Sequence, residues 1–168
     1  GLGDVYKRQI FGGGSWKTPI NNVMDVLNDG DGKAYEELMP PYYKDMADAL
    51  DGIIEISDED FDEEAEKQRD RLTKKYGDDA EISYEVVKKT EVDSDDIDSY
   101  NDMSDLASVL SVKKAKKYKL TKAYKVKIKY TIEGEDADKT DKTTVIVGKM
   151  DGTWVLLDEG DLPISTGF

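Results

Sequence analysis

The chain has 168 residues, 38% of them hydrophobic and 37% charged, with a formal charge of −14 at pH 7. It contains no cysteine and no histidine, which excludes disulfides, thiolate zinc sites, cysteine nucleophiles, Ser-His-Asp triads and HExxH metal sites. A field this acidic repels nucleic acid and anionic membrane surfaces, and no apolar run is long enough to cross a bilayer.

The opening GLGDVYKRQ resembles a translated sequencing-adaptor stretch, and residues 10–15 (IFGGGS) read as a flexible linker with three consecutive glycines. Residues 1–15 are therefore expected to be non-native or linker, and residues 16–168 to form one domain. A chain of this size buries roughly 70% of the surface it exposes when unfolded, enough for a core without staples.

Thr18-Pro19 opens the first helix, with Thr as N-cap and Pro at its first position. Ile20, Val23, Met24 and Leu27 lie at i, i+3, i+4 and i+7, one apolar stripe. Asn28-Asp29-Gly30 stops it, Asp31 caps a short helix over residues 32–39, and Pro40-Pro41 ends that. A third helix is expected over residues 41–50, closed by Asp51-Gly52. Ser57 caps the longest helix, Asp58–Tyr76, whose inner face carries Phe61, Ala65, Gln68, Leu72 and Tyr76 before the Gly77 stop.

Ile82, Tyr84 and Val86 alternate with polar residues and predict a strand over residues 80–92. An acidic link leads to a helix from Ser94 to residue 112, with Ile97, Tyr100, Met103, Leu106 and Leu110 turned inward. Tyr124, Val126, Ile128, Tyr130 and Ile132 then alternate with lysines, the clearest strand in the chain. A polar turn over residues 134–140 leads to a strand over residues 143–150. Asp151-Gly152 is a two-residue hairpin signal, and Thr153–Asp158 pairs back. Both faces of that last strand are apolar, which predicts a central or covered position. Helices first and a strand meander last is the order of an α+β fold, N-terminal helices packed on a curved antiparallel sheet.

The opening WKTPINNVMDVLNDGDGKAYEELMPP resembles that of nuclear-transport-factor-2-like (NTF2-like) domains, with two helices around a Gly-Asp break and closing prolines. The stretch VIVGKMDGTWVLLD resembles their final hairpin, and KAYKVKIKYTIEG the long strand before it. The match runs from about Trp16 to Leu162 and is nearest to extracytoplasmic members of clostridial bacteria. It implies a cone-shaped sheet around helices with a pocket at the open end. It also implies a location outside the cell, tethered by a lipid anchor or membrane helix preceding the domain. Relatives of this fold include isomerases and dehydratases as well as plain binding modules, so the fold leaves the function open.

The candidate ligand-binding side chains are aromatic. Tyr42 and Tyr43 follow the two prolines and are expected at a pocket rim. Trp154 and Tyr84 suit either a pocket wall or a core anchor. A calcium loop at Asn28–Gly32 fails on register, because either glycine taken as position 6 puts a leucine at a ligand position. No metal or cofactor is expected. The nine lysines between Lys113 and Lys129 match the solvent face of a strand. No carboxylate–tyrosine pair of the kind an isomerase needs can be assigned, so no catalytic residue is named. The reading favoured by these residues is a binding module for a small ligand or a cell-envelope component. The alternatives are a cofactor-independent isomerase or dehydratase using a carboxylate and Tyr, and a dimerisation or protein-interaction module through the sheet face.

Overall fold

The structure, a computed structural model, describes residues 15–50 and 58–165. The expected helix stop at Asp51-Gly52, the Ser57 cap and most of the Gly-rich linker lie outside those residues. Helices α1 (Thr18–Asp29), α2 (Gly32–Glu37), α3 (Tyr43–Ala49) and α4 (Asp58–Tyr76) come first. Strand β1 (Glu81–Glu91) follows, then α5 (Ser94–Asp102), α6 (Leu106–Val109) and α7 (Val112–Lys117). Strands β2 (Leu120–Glu133), β3 (Asp138–Met150) and β4 (Thr153–Asp158) complete the chain. The strands form one antiparallel sheet in the order β1-β2-β3-β4. The fold class is thus α+β, helices against an antiparallel meander.

The expected apolar stripe of α1 is buried, and Asn22, Asp25 and Val26 are buried with it. The helix is therefore enclosed on most sides, between α2, α4 and the sheet. Thr18 stands one place inside the cap: its hydroxyl accepts the Ser15 N–H at 2.9 Å, and Lys17 occupies the N-cap position. Gly30 caps α1 in the left-handed conformation, and the Asp31 carboxylate accepts from the backbone of Lys33 and Ala34 to start α2. The same residues that suggested calcium are a helix stop and a helix start.

All five expected inner residues of α4 are buried. Arg69 on the same helix was not foreseen as structural. Its guanidinium donates to the carbonyls of Leu27, Ala80 and Asp78, and so binds α4 to the end of α1 and the start of β1. Asn28 exchanges two hydrogen bonds with the Ile82 backbone, at 2.7 and 2.9 Å, extending the sheet by a side-chain amide.

The sheet has apolar residues on two faces. Ile82, Val126, Ile128, Tyr130, Ile132, Val145 and Val147 face the helices in the main core. Leu120, Ala123, Met150 and Val155 form a smaller core on the opposite face, at one end, with Tyr42, Val92, Ile97 and Leu157 against it. Strand β4 is accordingly covered on both sides although it is an edge of the sheet. Asp151 and Gly152 both have positive φ, 49° and 75°, the backbone of a type I′ hairpin.

The expected single helix over residues 94–112 is two short ones, α5 and α6, with a further helix, α7, beginning at Val112. It breaks at Met103 and again at Leu110, which is extended. Two of the expected inner residues are turned out to water, Met103 at 82% exposure and Tyr100 at 41%. Ile97 packs against the smaller core and Leu110 is buried, while the break at Met103 between them leaves Met103 outside.

Candidate functional site

The side chains singled out by sequence do not converge. Tyr84 lies half-buried on the helix-facing side of β1 and donates to Asn21 Oδ1 at 2.7 Å, joining sheet to α1. Tyr43 sets its ring edge-on against Phe61, with centroids 5.9 Å apart, and its hydroxyl donates to Glu36 at 3.1 Å. Both belong to the packing between helices and sheet.

Trp154 stacks on Tyr124 with ring centroids 5.5 Å apart and planes 13° from parallel, and Trp16 meets Tyr124 edge-on at 6.3 Å. The Lys89 ammonium sits 4.9 Å from the Trp16 ring centroid and 4.5 Å from that of Tyr124. The cation–π position between these rings is thus filled by the chain itself. The cluster fastens Trp16, two residues before α1, to the sheet.

Tyr42 is different. It precedes α3, packs edge-on against Tyr118 with centroids 5.8 Å apart, and lines both cavities described between α3 and the α5–α7 segment. The larger holds about 430 Å³, walled by Tyr42, Met46, Tyr100, Met103, Leu106 and Val109. Ser104 and Asp105 add its polar edge. The smaller, about 160 Å³, shares Tyr42, Tyr100, Ser104 and Leu106 and runs on to Val112, Tyr118 and Met150, with Lys116 and Lys119 at its wall. The two form one groove.

Five large hydrophobics are exposed among the described residues: Val87, Tyr100, Met103, Val109 and Val112. The last four all line this groove. Single exposed apolar side chains are ordinary, whereas a contiguous set marks a binding surface. Sequence reasoning found Tyr42 and missed the rest, because it turned Met103 inward along a continuous helix. The apolar spacing runs unbroken through this break, and the local sign of it is Asp105 at the N-cap position of α6.

The walls of the groove are electrically neutral phenols. Burial pushes the Tyr42 hydroxyl above its usual pKa, and burial together with the neighbouring Tyr42 does the same for Tyr100. Tyr118 is pushed up to about 12 by burial first, then by its hydrogen bond to Asp45 and the Asp45 and Asp151 charges. Its hydroxyl donates to the Asp45 carboxylate. This is a carboxylate–tyrosine pair on the wall of the groove, a pairing between α3 and α7 that no local pattern announces.

Among the described residues no group of three acidic side chains is arranged to hold a metal ion, and no helix is long and apolar enough to cross a membrane. In comparisons with known families, curated proteins and solved structures, nothing matches this chain.

Proposed function

We propose that this protein is a non-catalytic binding module whose ligand is a small, largely apolar molecule held in the groove between α3 and α5–α7. One observation carries the reading: of the five exposed large hydrophobics among the described residues, four fall on one groove, Tyr100, Met103 and Val109 around its larger cavity and Val112 at the smaller. The larger cavity's volume lies within the roughly 300–1,000 Å³ of small-molecule sites. Met46 and Met103 supply flexible, polarizable walls that adapt to a ligand's shape. The domain acts outside the cell in this proposal, as the NTF2-like resemblance implies.

The test uses Nile red, a neutral probe that brightens in apolar surroundings. Saturable binding to the wild type, lost in Met103→Asp and in Val109→Asp, is the expected result. Both positions are exposed, so neither substitution disturbs the core. Unchanged binding in both variants would remove the groove as the site.

A second reading, a small isomerase or dehydratase, has the Tyr118–Asp45 pair in its favour. The chemistry weighs against it. Tyr118 already donates its one proton to Asp45, and a phenol with a raised pKa is a weaker acid, so a substrate would first have to displace Asp45. A dimer through the open sheet face has less support. That face presents Lys88, Lys125, Lys127, Lys129 and Lys142 together with Glu81, Glu85 and Glu133, so it is charged and offers a twofold contact little apolar area to bury. Sedimentation at two concentrations tests it, and a single monomer species is the expected outcome.

A further inference from the structure

The groove is not symmetrical along its length. At one end Met46, Met103 and Val109 are purely apolar walls and the flanking charge is the carboxylate of Asp105. At the other end the charged residues among the lining are Lys116 and Lys119. Tyr42, Tyr100, Ser104 and Leu106 join the two. Both lysines are exposed, and among the described residues neither has a carboxylate within ion-pair distance. Their neighbour Lys117 does, with Asp151 at 3.5 Å. The basic end therefore holds two uncommitted cations beside an apolar trough.

We infer that the ligand of this groove is a single-chain anionic amphiphile, its acid group at Lys116 and Lys119 and its hydrocarbon chain laid along Leu106 toward Met46, Met103 and Val109. The inference rests on the groove being the binding site. Charge sets the direction: the reverse orientation would bring a carboxylate or phosphate against Asp105, where like charges repel. The apolar walls supply the attraction, through area removed from water, and the lysines supply selectivity for one charge type. The acidic net charge does not oppose this at contact, since at physiological salt charges farther off than about 8 Å are largely screened. It does disfavour an anionic membrane surface, which meets the whole molecule. The ligand is accordingly a monomer taken from solution.

The experiment is calorimetric titration of the protein with dodecanoate, with dodecanol and with dodecyltrimethylammonium, each below its aggregation threshold. Dodecanoate should bind most tightly. Lys116→Glu/Lys119→Glu should weaken dodecanoate about tenfold, the scale expected for the loss of two exposed charge contacts, and leave dodecanol unchanged. Raising salt should weaken dodecanoate alone. Met103→Asp/Val109→Asp should abolish both. If dodecanol and dodecanoate bind equally and the lysine reversals do nothing, the anion inference fails while the groove stands. Tighter binding of the cationic chain overturns the inference in the same way. If no chain binds and Nile red binding is also insensitive to Met103→Asp, the groove reading itself fails. If an amphipathic helical peptide displaces Nile red and none of the three chains does, the occupant is a protein segment and the amphiphile is overturned.

Discussion

Asn101 near the end of α5 holds Leu120 at the start of β2 by both of that residue's backbone groups. Its Oδ1 accepts the Leu120 N–H at 2.8 Å, and its Nδ2 donates to the Leu120 carbonyl at 3.0 Å. Leu120 is buried and opens the smaller core, so these groups have little access to water. The pair positions α5, and with it Tyr100 and Met103, over the end of the sheet. Asn101→Ala should cost about 1–3 kcal/mol, the range for leaving buried backbone groups unpaired. Chemical denaturation measures the loss. Hydrogen exchange at the Leu120 amide should accelerate by more than exchange at Ile128, in the main core. Equal acceleration at both would mean that Asn101 stabilises the whole domain rather than this junction.

The opposite wall depends on Tyr118 and Asp45. Tyr118→Phe removes one hydrogen bond to a charged group, a loss of about 1.5–3 kcal/mol. Its pH dependence has a definite sign. The folded pKa, about 12, lies above the ordinary 10. The neutral phenol is favoured by folding, so this contribution is complete below pH 10 and is lost as the pH rises toward 12. Wild-type stability should therefore fall over that window more steeply than that of Tyr118→Phe. Absorbance titration should show one tyrosinate that forms late in the wild type and is missing in the variant. Parallel stability curves would contradict the assigned hydrogen bond.

The end of the described chain is held in the same manner as β2. Gln68 accepts the Ser165 N–H at 3.0 Å and donates to the Ser165 carbonyl at 3.0 Å. Gln68 is itself almost wholly buried, at 2% exposure, and Leu162 and Ile164 sit in the main core beside it. Gln68→Ala should release residues 162–165 and cost about 1–3 kcal/mol. Limited proteolysis followed by mass measurement reads the release directly, as new cleavage between Leu162 and Ser165. Absence of new cleavage would show that burial of Leu162 and Ile164 alone fixes the tail.

What sequence could reveal here follows from the range of the interactions. The periodicity of α1, α4 and β2 is local and one-sided, so the residues expected to face inward on them are buried, with Tyr124 half-buried at the Trp16 and Trp154 rings. The Asp151-Gly152 turn needs only the two residues that form it. The three side-chain amides Asn28, Gln68 and Asn101 act at separations of 54, 97 and 19 residues. Each is an ordinary polar residue until its partner arrives, and the partner is a backbone that carries no sequence signal. The groove was hidden for a related reason. Its walls come from α3 and from α5–α7, and Met103 follows helical periodicity up to the break that turns it out. Tyr42 stood out because two prolines precede it. Tyr43, beside it, met Phe61 of a distant helix and joined the core.

Gly148 tests the smaller core that supports the groove floor. It stands on β3 opposite Ala123 and Val155. A Cβ added there would lie 2.5 Å from Leu120 Cδ1 and 2.7 Å from Leu157 Cδ1, well inside contact distance. Its φ is ordinary, so space alone demands glycine here. Overpacking costs typically about 1–3 kcal/mol. Alanine also loses less conformational freedom on folding, which offsets about 0.4–1 kcal/mol of that. A net loss of about 1 kcal/mol is expected, because the half-buried Leu157 can swing aside more easily than the buried Leu120. The decisive measurement is a double-mutant cycle with Leu157→Ala. Removing the clashing methyl groups should make Gly148→Ala cheaper by about 1 kcal/mol than in the wild type. Strict additivity would mean that Leu157 yields without strain and that Leu120 bears the clash. The companion cycle with Leu120→Ala should then show the coupling instead.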